Sequence, residues 1–271
     1  MSQQNPITSQ PPEVQTTGPI VAVIIPVYNH LPEVLQAVVS MRSTTNPETT
    51  MVVVSDDCSP EYNLHTIPLP PGIVVNRNEV NLGFAGNCNA AAQAIEADYL
   101  IFANQDCKAL ERGWVEAMLQ VFIDHPDAGI VGPRLMFDNG SVQSVGGFFD
   151  AGKGPYHRWL GWSNAHDPRI STTMEVSWIT GACLMIRRED FLKCGGFNGA
   201  VYEGGYFEDV DLCLKMRIEH NKTVWYCAEA TLVHGVGSTG GNPKFMTNSA
   251  RFHAIWDKYI EPDSPFVYVN F

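Results

Sequence analysis

The sequence has few basic residues and lacks any long apolar run. Lysine and arginine number 17 against 29 acidic residues, which gives a net charge of −12 over 271 residues. A protein that neutralises nucleic-acid phosphates, or that docks on an anionic membrane through a polybasic patch, is rich in lysine and arginine. No apolar run reaches the roughly 18–20 residues that a membrane-spanning helix needs. The sequence therefore argues against a nucleic-acid-binding protein and against a transmembrane segment.

The cysteines also lack a pattern. Seven of them are scattered along the chain, and none lies in a Cys-x-x-Cys pair. Such a distribution is typical of buried free thiols in a reducing compartment, so we expect a cytoplasmic protein. The first 19 residues are polar and proline-rich, without the basic start and apolar stretch of a signal peptide. We expect residues 1–19 to form a flexible lead-in.

Common nucleotide-binding motifs are missing where they would be expected, after the first predicted strand. A dinucleotide-binding protein carries Gly-x-Gly-x-x-Gly there, and a P-loop enzyme carries Gly-Lys-Ser/Thr. A sugar nucleotidyltransferase usually has a glycine-rich basic loop at this place. The chain instead has Val27-Tyr28-Asn29-His30-Leu31, with no glycine, lysine or arginine. All three classes are therefore disfavoured.

What the sequence does contain is an alternation of predicted strands and helices. Apolar, β-branched runs predict strands at 20–25, 51–55, 73–75, 99–103 and 129–132, and helices are predicted at 31–42, 84–97 and 111–124. This rhythm predicts an α/β fold with a mostly parallel central sheet flanked by helices. Ligands bind such sheets beyond the carboxyl ends of the strands, and two predicted strands end in acidic segments.

The rhythm changes after about residue 135. Residues 138–169 are rich in glycine, asparagine and aromatic residues, which predicts a hairpin and a long loop. Further elements are predicted beyond them: a strand pair at 175–187, a helix at 208–220, a strand at 223–226 and a final amphipathic helix at 248–260. We expect a single domain over residues 20–260.

Eight short pieces of the sequence occur in the order found in one enzyme family. They are Ile25-Pro26-Val27-Tyr28-Asn29, Ser55-Asp56-Asp57-Cys58-Ser59, Asn81-Leu82-Gly83-Phe84-Ala85-Gly86-Asn87, Asn104-Gln105-Asp106, Gly181, Gly195-Gly196-Phe197, Glu208-Asp209-Val210-Asp211-Leu212 and Val233-His234. Each piece alone is a weak signal, but the ordered set is a strong one. Through this ordered set of motifs the chain resembles the family 2 glycosyltransferases, which have the GT-A fold, and it is similar to their rhamnosyltransferase-like branch.

The resemblance implies an inverting transfer of a sugar from a UDP- or dTDP-sugar to a hydroxyl of a glycan or lipid-linked acceptor, in cell-surface polysaccharide synthesis. It divides the domain into a nucleotide-sugar-binding half at 20–135 and an acceptor and catalytic half at 136–260, followed by a C-terminal tail at 261–271. The enzyme would work in the cytoplasm, peripherally at the inner face of the membrane. The alternatives are a nucleotide-sugar-binding protein without catalysis and, less favoured, a sugar nucleotidyltransferase.

The first group of candidate residues concerns the donor nucleotide. A carboxylate at the end of the second strand can accept the imide N–H of uracil or thymine, and the resemblance assigns this role to Asp56. A turn or a helix cap is the structural alternative. The other candidate donor contacts are Pro26, Tyr28, Asn29, Asn78, Gly83, Asn87, Asn104 and Gln105. Their backbone and amide groups suit ribose and phosphate oxygens, although asparagine is also an ordinary turn residue.

The second group is a candidate metal site. Asn104-Gln105-Asp106 stands where the family has Asp-x-Asp, and Asp106 is a hard oxygen ligand for Mn²⁺ or Mg²⁺. The resemblance makes His234 a metal or diphosphate ligand, and imidazole accepts Mn²⁺ more readily than Mg²⁺. Asn104 brings no charge, which leaves metal dependence open and motivates the non-catalytic alternative. Gly235, Gly237, Ser238 and Gly240 predict a mobile loop that closes over the donor.

The third group concerns catalysis and the acceptor. The resemblance makes Asp209 the general base, while spacing alone does not separate it from Glu208, and carboxylates at a helix start also serve as caps. Trp159, Trp162 and Trp178 offer aromatic faces that carry sugar rings, or act as ordinary anchors of the core.

Overall fold

The computed structural model describes residues 20–235 and 243–263. The strands are β1 (Val21–Val27), β2 (Thr50–Asp56), β3 (Ile73–Arg77), β4 (Tyr99–Ala103), β5 (Cys107–Ala109), β6 (Ala128–Met136), β7 (Val142–Ser144), β8 (Gly147–Phe149), β9 (Pro155–His157), β10 (Met174–Glu175), β11 (Cys183–Arg187) and β12 (Thr223–His234). The α-helices are α1 (Leu31–Thr44), α2 (Gly83–Ala94), α3 (Trp114–Asp124), α4 (Arg188–Lys193), α5 (Glu208–Leu214) and α6 (Phe245–Trp256). The predicted lead-in at 1–19, the loop beyond Gly235 and the tail beyond residue 263 lie outside the described residues.

One large sheet organises the described chain. Its strands lie in the order β10-β12-β6-β11-β4-β1-β2-β3, with β5 added beside β12 and β7 beside β6. The β1, β2, β3 and β4 strands run parallel, and so do β6 and β12, whereas β11 runs antiparallel to both of its neighbours. The predicted mostly parallel sheet is confirmed.

Helices cover both faces of the sheet, as the continuous apolar strands require. Along β1, Ala22 and Ile24 contribute to one core, and Val21, Val23 and Ile25 to the other. Residues of α2, α5 and α6 pack on the first face, and residues of α1 and α3 pack on the second. Because the parallel strands share a direction, their carboxyl ends open at one edge. Within the described ranges, none of the helices is both long and apolar enough to cross a bilayer.

Two strands run further than the sequence predicts. A stop was expected at Gly132 and Pro133, yet β6 continues to Met136. A Cβ at position 132 would lie 2.3 Å from Cγ2 of Ile179, so this glycine serves close packing rather than a turn. Pro133 is tolerated because the register of β12 shifts between Cys227 and Thr231, beside it. The β12 strand likewise extends beyond the predicted 223–226 to His234.

The second half of the chain requires a correction. The predicted strand pair at 175–187 is wrong: β10 pairs with β12, while β11 lies between β4 and β6. The predicted helix at 208–220 is α-helical only to Leu214 and continues as a π-turn over Lys215–Glu219. The hairpin expected within 138–169 is present as β8 and β9.

Candidate functional site

The predicted site residues gather beyond the carboxyl ends of β1, β2, β4 and β12. The backbone N–H of Tyr28 donates to Oε1 of Gln105 at 2.9 Å, which joins the loop after β1 to the loop after β4. His234, the last residue of β12, lies opposite Cys107 of β5. Chain segments far apart in sequence therefore meet at one edge of the sheet.

Asp106 and His234 form a polar pair at this edge. The Nε2 atom of His234 lies 3.1 Å from Oδ1 of Asp106, and both side chains keep some exposure to solvent. Nδ2 of Asn104 lies 3.4 Å from the same nitrogen, and Nδ1 on the other side of the ring lies 2.7 Å from Oε1 of Gln143. Sequence reasoning missed Gln143, which belongs to no motif and precedes His234 by 91 positions.

The chemistry of the donor atoms fits a divalent cation. Ligand atoms of Asp106, Cys107 and His234 all lie within 4.8 Å of one another. The Cys107 thiol is buried and donates to the carbonyl oxygen of Ala182 at 3.1 Å, and burial raises its pKa well above its usual range. Since its thiol already donates to this backbone carbonyl, the candidate ligands are the Asp106 carboxylate and the His234 imidazole.

A two-residue segment connects this pair to the acidic helix. The N–H of Asn104 donates to the carbonyl oxygen of Ala182 at 2.9 Å. The preceding residue, Gly181, donates its N–H to Oδ2 of Asp209 at 2.8 Å. A Cβ at position 181 would lie 3.3 Å from Cβ of Asp209, so glycine is needed for the close approach. Asp209 is thereby fixed beside the loop that carries Asp106.

The two neighbouring acids at the start of α5 have different environments. Both oxygens of Asp209 accept backbone N–H groups, from Gly181 and Val210. Burial raises the pKa of Asp209, while these hydrogen bonds oppose the rise. Glu208 is only 7% exposed, and its Oε2 has no hydrogen-bond partner within the described ranges. Burial, followed by the charge of Asp209, raises the pKa of Glu208 to about 8. Burial without a hydrogen-bond partner for Oε2 in the described residues thus favours the protonated form of Glu208, which makes it the poorer base.

Asp211, the third acid of α5, is committed to the fold. Its Oδ1 accepts hydrogen bonds from the Tyr202 hydroxyl at 3.0 Å and from Nε1 of Trp256 at 2.9 Å. Lys215 pairs with its other oxygen at 2.9 Å. Asp211 thus connects α6 to α5, and Glu208 and Asp209 are the acids of α5 that stay candidates for the base.

On the donor side, Asp56 already has protein partners. It is completely buried, its Oδ1 accepts the N–H of Ser59 at 2.9 Å, and its Oδ2 is paired with Arg77. A direct contact between Asp56 and a nucleobase stays a prediction, and it requires one of these partners to move. Asp57 differs from Asp56 in having one oxygen without a partner. Its Oδ1 accepts hydrogen bonds from the Asn78 amide and from the N–H of Leu82, whereas its Oδ2 has no hydrogen bond within the described ranges.

The side-chain amides predicted to contact the donor form hydrogen bonds within the protein. Asn87 is buried and bonds to both the carbonyl and the hydroxyl oxygen of Ser55, and to Asn78. These contacts attach α2 to β2, and at 1% exposure the Asn87 side chain is not presented to a ribose. Gly83 adopts a φ of 71° with open space around it, so its backbone conformation explains the glycine.

The loop after β1 presents the exposed ring of Tyr28. Tyr28 is 44% exposed, whereas Pro26 is buried inside β1 opposite Ser55. Asn29 and His30 both adopt left-handed backbone angles, and the Asn29 N–H donates to the Ser59 hydroxyl at 2.9 Å. The turn after β2 thus fixes the backbone that carries Tyr28.

The three tryptophans do not form one aromatic platform. Trp178 is only 4% exposed and packs against Gly147, so the expectation that it offers a face to an acceptor is wrong. Trp159 and Trp162 are half-buried and in edge contact, with ring centroids 5.3 Å apart. The guanidinium of Arg169 covers both rings at 4.5 and 5.4 Å from the centroids. A sugar would have to displace Arg169 to stack on them.

Comparison with known sequences identifies a family match. The sequence model described as glycosyl transferase family 2 matches residues 22–195. An N-acetylglucosaminyl-diphospho-decaprenol L-rhamnosyltransferase of Mycobacterium tuberculosis is 31% identical over 183 residues, covering 64% of this chain and 58% of that protein. The O-antigen biosynthesis protein RfbC of Myxococcus xanthus is 27% identical over 225 residues, which are 80% of this chain and 17% of that protein. The chain thus spans less than two thirds of either relative.

Solved structures show the same architecture. GalNAc-T7, crystallised with UDP, GalNAc and Mn²⁺, superposes with a TM-score of 0.70 at 16% identity, over 88% of this chain and 48% of the other. The mannosyltransferase PcManGT of Pyrobaculum calidifontis, in complex with GDP-Man and Mn²⁺, superposes with a TM-score of 0.63 at 17% identity, over 97% and 70%. The predicted GT-A fold is confirmed.

Proposed function

Because the chain belongs to glycosyltransferase family 2, we propose that it transfers a sugar, with inversion, from a UDP- or dTDP-sugar to an acceptor hydroxyl. The observation that carries the proposal is the fixed link between the Asp106–His234 pair and Asp209 through Gly181 and Ala182. A diphosphate-binding cation site and a base are the two elements that such a transfer requires, and the residues that we propose for them lie at one edge of the sheet.

Asp106 and His234 are the residues proposed to hold a divalent cation, with Mn²⁺ favoured by the imidazole. When bound, the cation would stabilise the negative charge that develops on the leaving diphosphate. Asn104 adds a neutral amide where a second carboxylate would add charge. The proposed site is therefore weaker than one built on two carboxylates.

Asp209 is proposed as the general base. The acceptor oxygen attacks the anomeric carbon as the bond from that carbon to the diphosphate breaks, and the hydroxyl proton passes to the Asp209 carboxylate. A single displacement of this kind inverts the anomeric configuration. The N–H groups of Gly181 and Val210 fix the carboxylate and leave each oxygen further lone pairs for the proton. Glu208 already carries a proton and is assigned no transfer step.

The donor nucleotide is proposed to lie on the 20–135 half. There the exposed ring of Tyr28 would contact the nucleobase, and so would Oδ2 of Asp57, which has no hydrogen bond among the described residues. Asp56 then acts indirectly, by holding Arg77 and the turn at Ser59 in place. The 136–260 half is proposed to bind the acceptor.

A lipid-linked glycan is the proposed acceptor class. One relative is named for an N-acetylglucosaminyl-diphospho-decaprenol substrate and another for O-antigen biosynthesis. The first name includes a decaprenol carrier, and this supports a lipid-linked acceptor for the chain. We propose that the chain works peripherally at the cytoplasmic face of the membrane in this kind of synthesis.

A panel of UDP- and dTDP-sugars, assayed for nucleoside diphosphate release with Mn²⁺ or with chelator, tests the proposal. We expect release from one donor class with Mn²⁺, at least a hundredfold less in Asp106→Asn, and no change in Asp138→Asn. Asp138 is a matched control, since it is exposed and paired with Lys108. Release that persists in chelator would contradict the metal site. Pyrophosphate as the product would indicate nucleotidyl transfer, and nucleotide binding without any release would indicate a non-catalytic binding protein.

A further inference from the structure

The imidazole of His234 lies between two different kinds of partner. On one side, Nε2 faces Oδ1 of Asp106 at 3.1 Å and the amide nitrogen of Asn104 at 3.4 Å. On the other side, Nδ1 faces the side-chain oxygen of Gln143 at 2.7 Å, a short and well-formed hydrogen-bond distance. The ring is thus held at both nitrogens.

The identity of these partners bears on the tautomer of His234. A neutral imidazole carries a single N–H, and the nitrogen without it has a lone pair that can bind a cation. The amide oxygen of Gln143 is an acceptor and favours a proton on Nδ1, and the amide nitrogen of Asn104 is a donor and favours a lone pair on Nε2. The Asp106 carboxylate, 3.1 Å from Nε2, favours a proton on that nitrogen instead. A cation between Asp106 and His234 would remove this competition, and the lone pair of Nε2 would then face the cation.

The backbone that carries Gln143 is fixed from several directions. It is the central residue of β7, which pairs with Leu135 and Met136 at the end of β6. The N–H and carbonyl of Val142 bond to Trp162 and Gly161, each at 2.8 Å. The adjacent Ser144 hydroxyl lies 3.0 Å from Nδ1 of His157. The segment around Trp159 and Trp162 thus braces the strand that supports His234.

From this geometry, and resting on the metal site of the proposed function, we propose that Gln143 is the positioning residue of that site: it accepts the Nδ1–H of His234 and so directs the Nε2 lone pair toward the cation position. Acceptors on the outer nitrogen of a ligating histidine raise its basicity and fix its orientation, and their loss typically lowers metal affinity about 10–100-fold. An amide gives this support without adding a second negative charge near Asp106.

The tautomer of His234 is the direct test. In metal-free Asp106→Ala protein labelled with ¹⁵N-histidine, no carboxylate competes at Nε2; long-range ¹H–¹⁵N spectra distinguish a protonated Nδ1 from a protonated Nε2, and the spectrum with His234→Gln added assigns the signal among the 8 histidines. We expect Nδ1–H in this background, Nδ1–H retained when Gln143→Glu is added, and a mixture of tautomers when Gln143→Leu is added. An Nε2–H tautomer in this background, or no change on adding Gln143→Leu, would overturn the inference.

Titration with Mn²⁺ followed by electron paramagnetic resonance separates this inference from the function on which it rests. Gln143→Leu should weaken Mn²⁺ binding about tenfold or more, Gln143→Glu should bind at least as well as the wild type, and Gln120→Leu should be unchanged. Gln120 is a control on α3 that bonds only to Asp124 among the described residues. Wild-type binding with equal affinity in Gln143→Leu would refute the role of Gln143 alone. No Mn²⁺ binding by the wild type would refute the metal site itself and the positioning role with it.

Discussion

At the scale of single residues, Glu208 and Asp209 are adjacent in the chain and differ in what surrounds them. Two backbone N–H groups satisfy Asp209, whereas Glu208 enters an enclosed position without a partner for Oε2 in the described part of the chain. A carboxyl in such surroundings is more stable with its proton. The structure thus separates two acids that their spacing alone does not.

The first prediction concerns the pH dependence of stability. The folded-state pKa of Glu208, about 8, exceeds its pKa in the unfolded chain. At pH values between these two pKa values, the folded chain therefore binds more protons than the unfolded chain. Stability is therefore greatest below the unfolded pKa and declines as pH rises toward 8. Glu208→Gln removes this titration. The free energy of unfolding of the variant should therefore rise relative to that of the wild type, by up to about 1.4 kcal/mol per pH unit over that window.

Urea unfolding of both proteins at several pH values from 5 to 8.5 measures the effect. The gap between Glu208→Gln and wild type should widen with pH. Two parallel profiles would show that Glu208 is not buried with its proton.

At the residue scale, the sequence predicts a site where motifs end strands, as at Asp106 and His234, and these two residues lie at one edge because the carboxyl ends of parallel strands meet there. Their roles, and that of Asp209 in the first turn of α5, stay predictions. The sequence does not indicate the contact between Gln143 and His234, because a contact across the end of β6 leaves no local pattern. It also does not indicate the protein partners of Asp56 and Asn87, because a polar residue has the same sequence signature whether it contacts a ligand or the protein.

At the scale of elements, α5 and α6 are joined by a buried polar contact. Asp211 receives the Trp256 indole N–H and the Tyr202 hydroxyl in a region closed to water, with Lys215 completing the set. Removal of the shared acceptor leaves two donors and one cation without their partner. We expect Asp211→Ala to lower the free energy of unfolding by about 3 kcal/mol.

Chemical denaturation measures this loss, and Asp257→Ala is the control. Asp257, which directly follows α6, makes a solvent-accessible pair with His253 and should contribute less than about 1 kcal/mol. Equal losses in the two variants would contradict the assignment of Asp211 to the contact between α5 and α6.

Elements with strong periodicity were predicted to within a few residues, and the failures have physical causes. Gly132 and Pro133 signal a stop, yet close packing on Ile179 and an irregular register in β12 carry β6 through them. The β11 strand was expected to pair with its neighbour in sequence, but tertiary contacts place it between β4 and β6. Strand partners depend on contacts between distant segments, which a single sequence does not display.

At the scale of the whole molecule, the mixed sheet brings a proposed cation site from β4 and β12 and a proposed base from α5 to one place. The Gly181–Ala182 segment before β11 is the physical link, because it bonds to Asn104 on one side and Asp209 on the other. The antiparallel placement of β11 beside β4 is what brings the two together. A parallel sheet alone would have left the acid of α5 without this connection.

The most direct test of the account compares Asp209→Asn and Glu208→Gln with the wild type, using the donor that the panel identifies. Turnover is measured as nucleoside diphosphate release at saturating Mn²⁺. The account predicts that Asp209→Asn loses about a hundredfold to ten-thousandfold in kcat, while Glu208→Gln, which resembles the protonated acid, retains most of it. Near-normal turnover in Asp209→Asn together with loss in Glu208→Gln would reverse the assignment of the base and contradict the central claim.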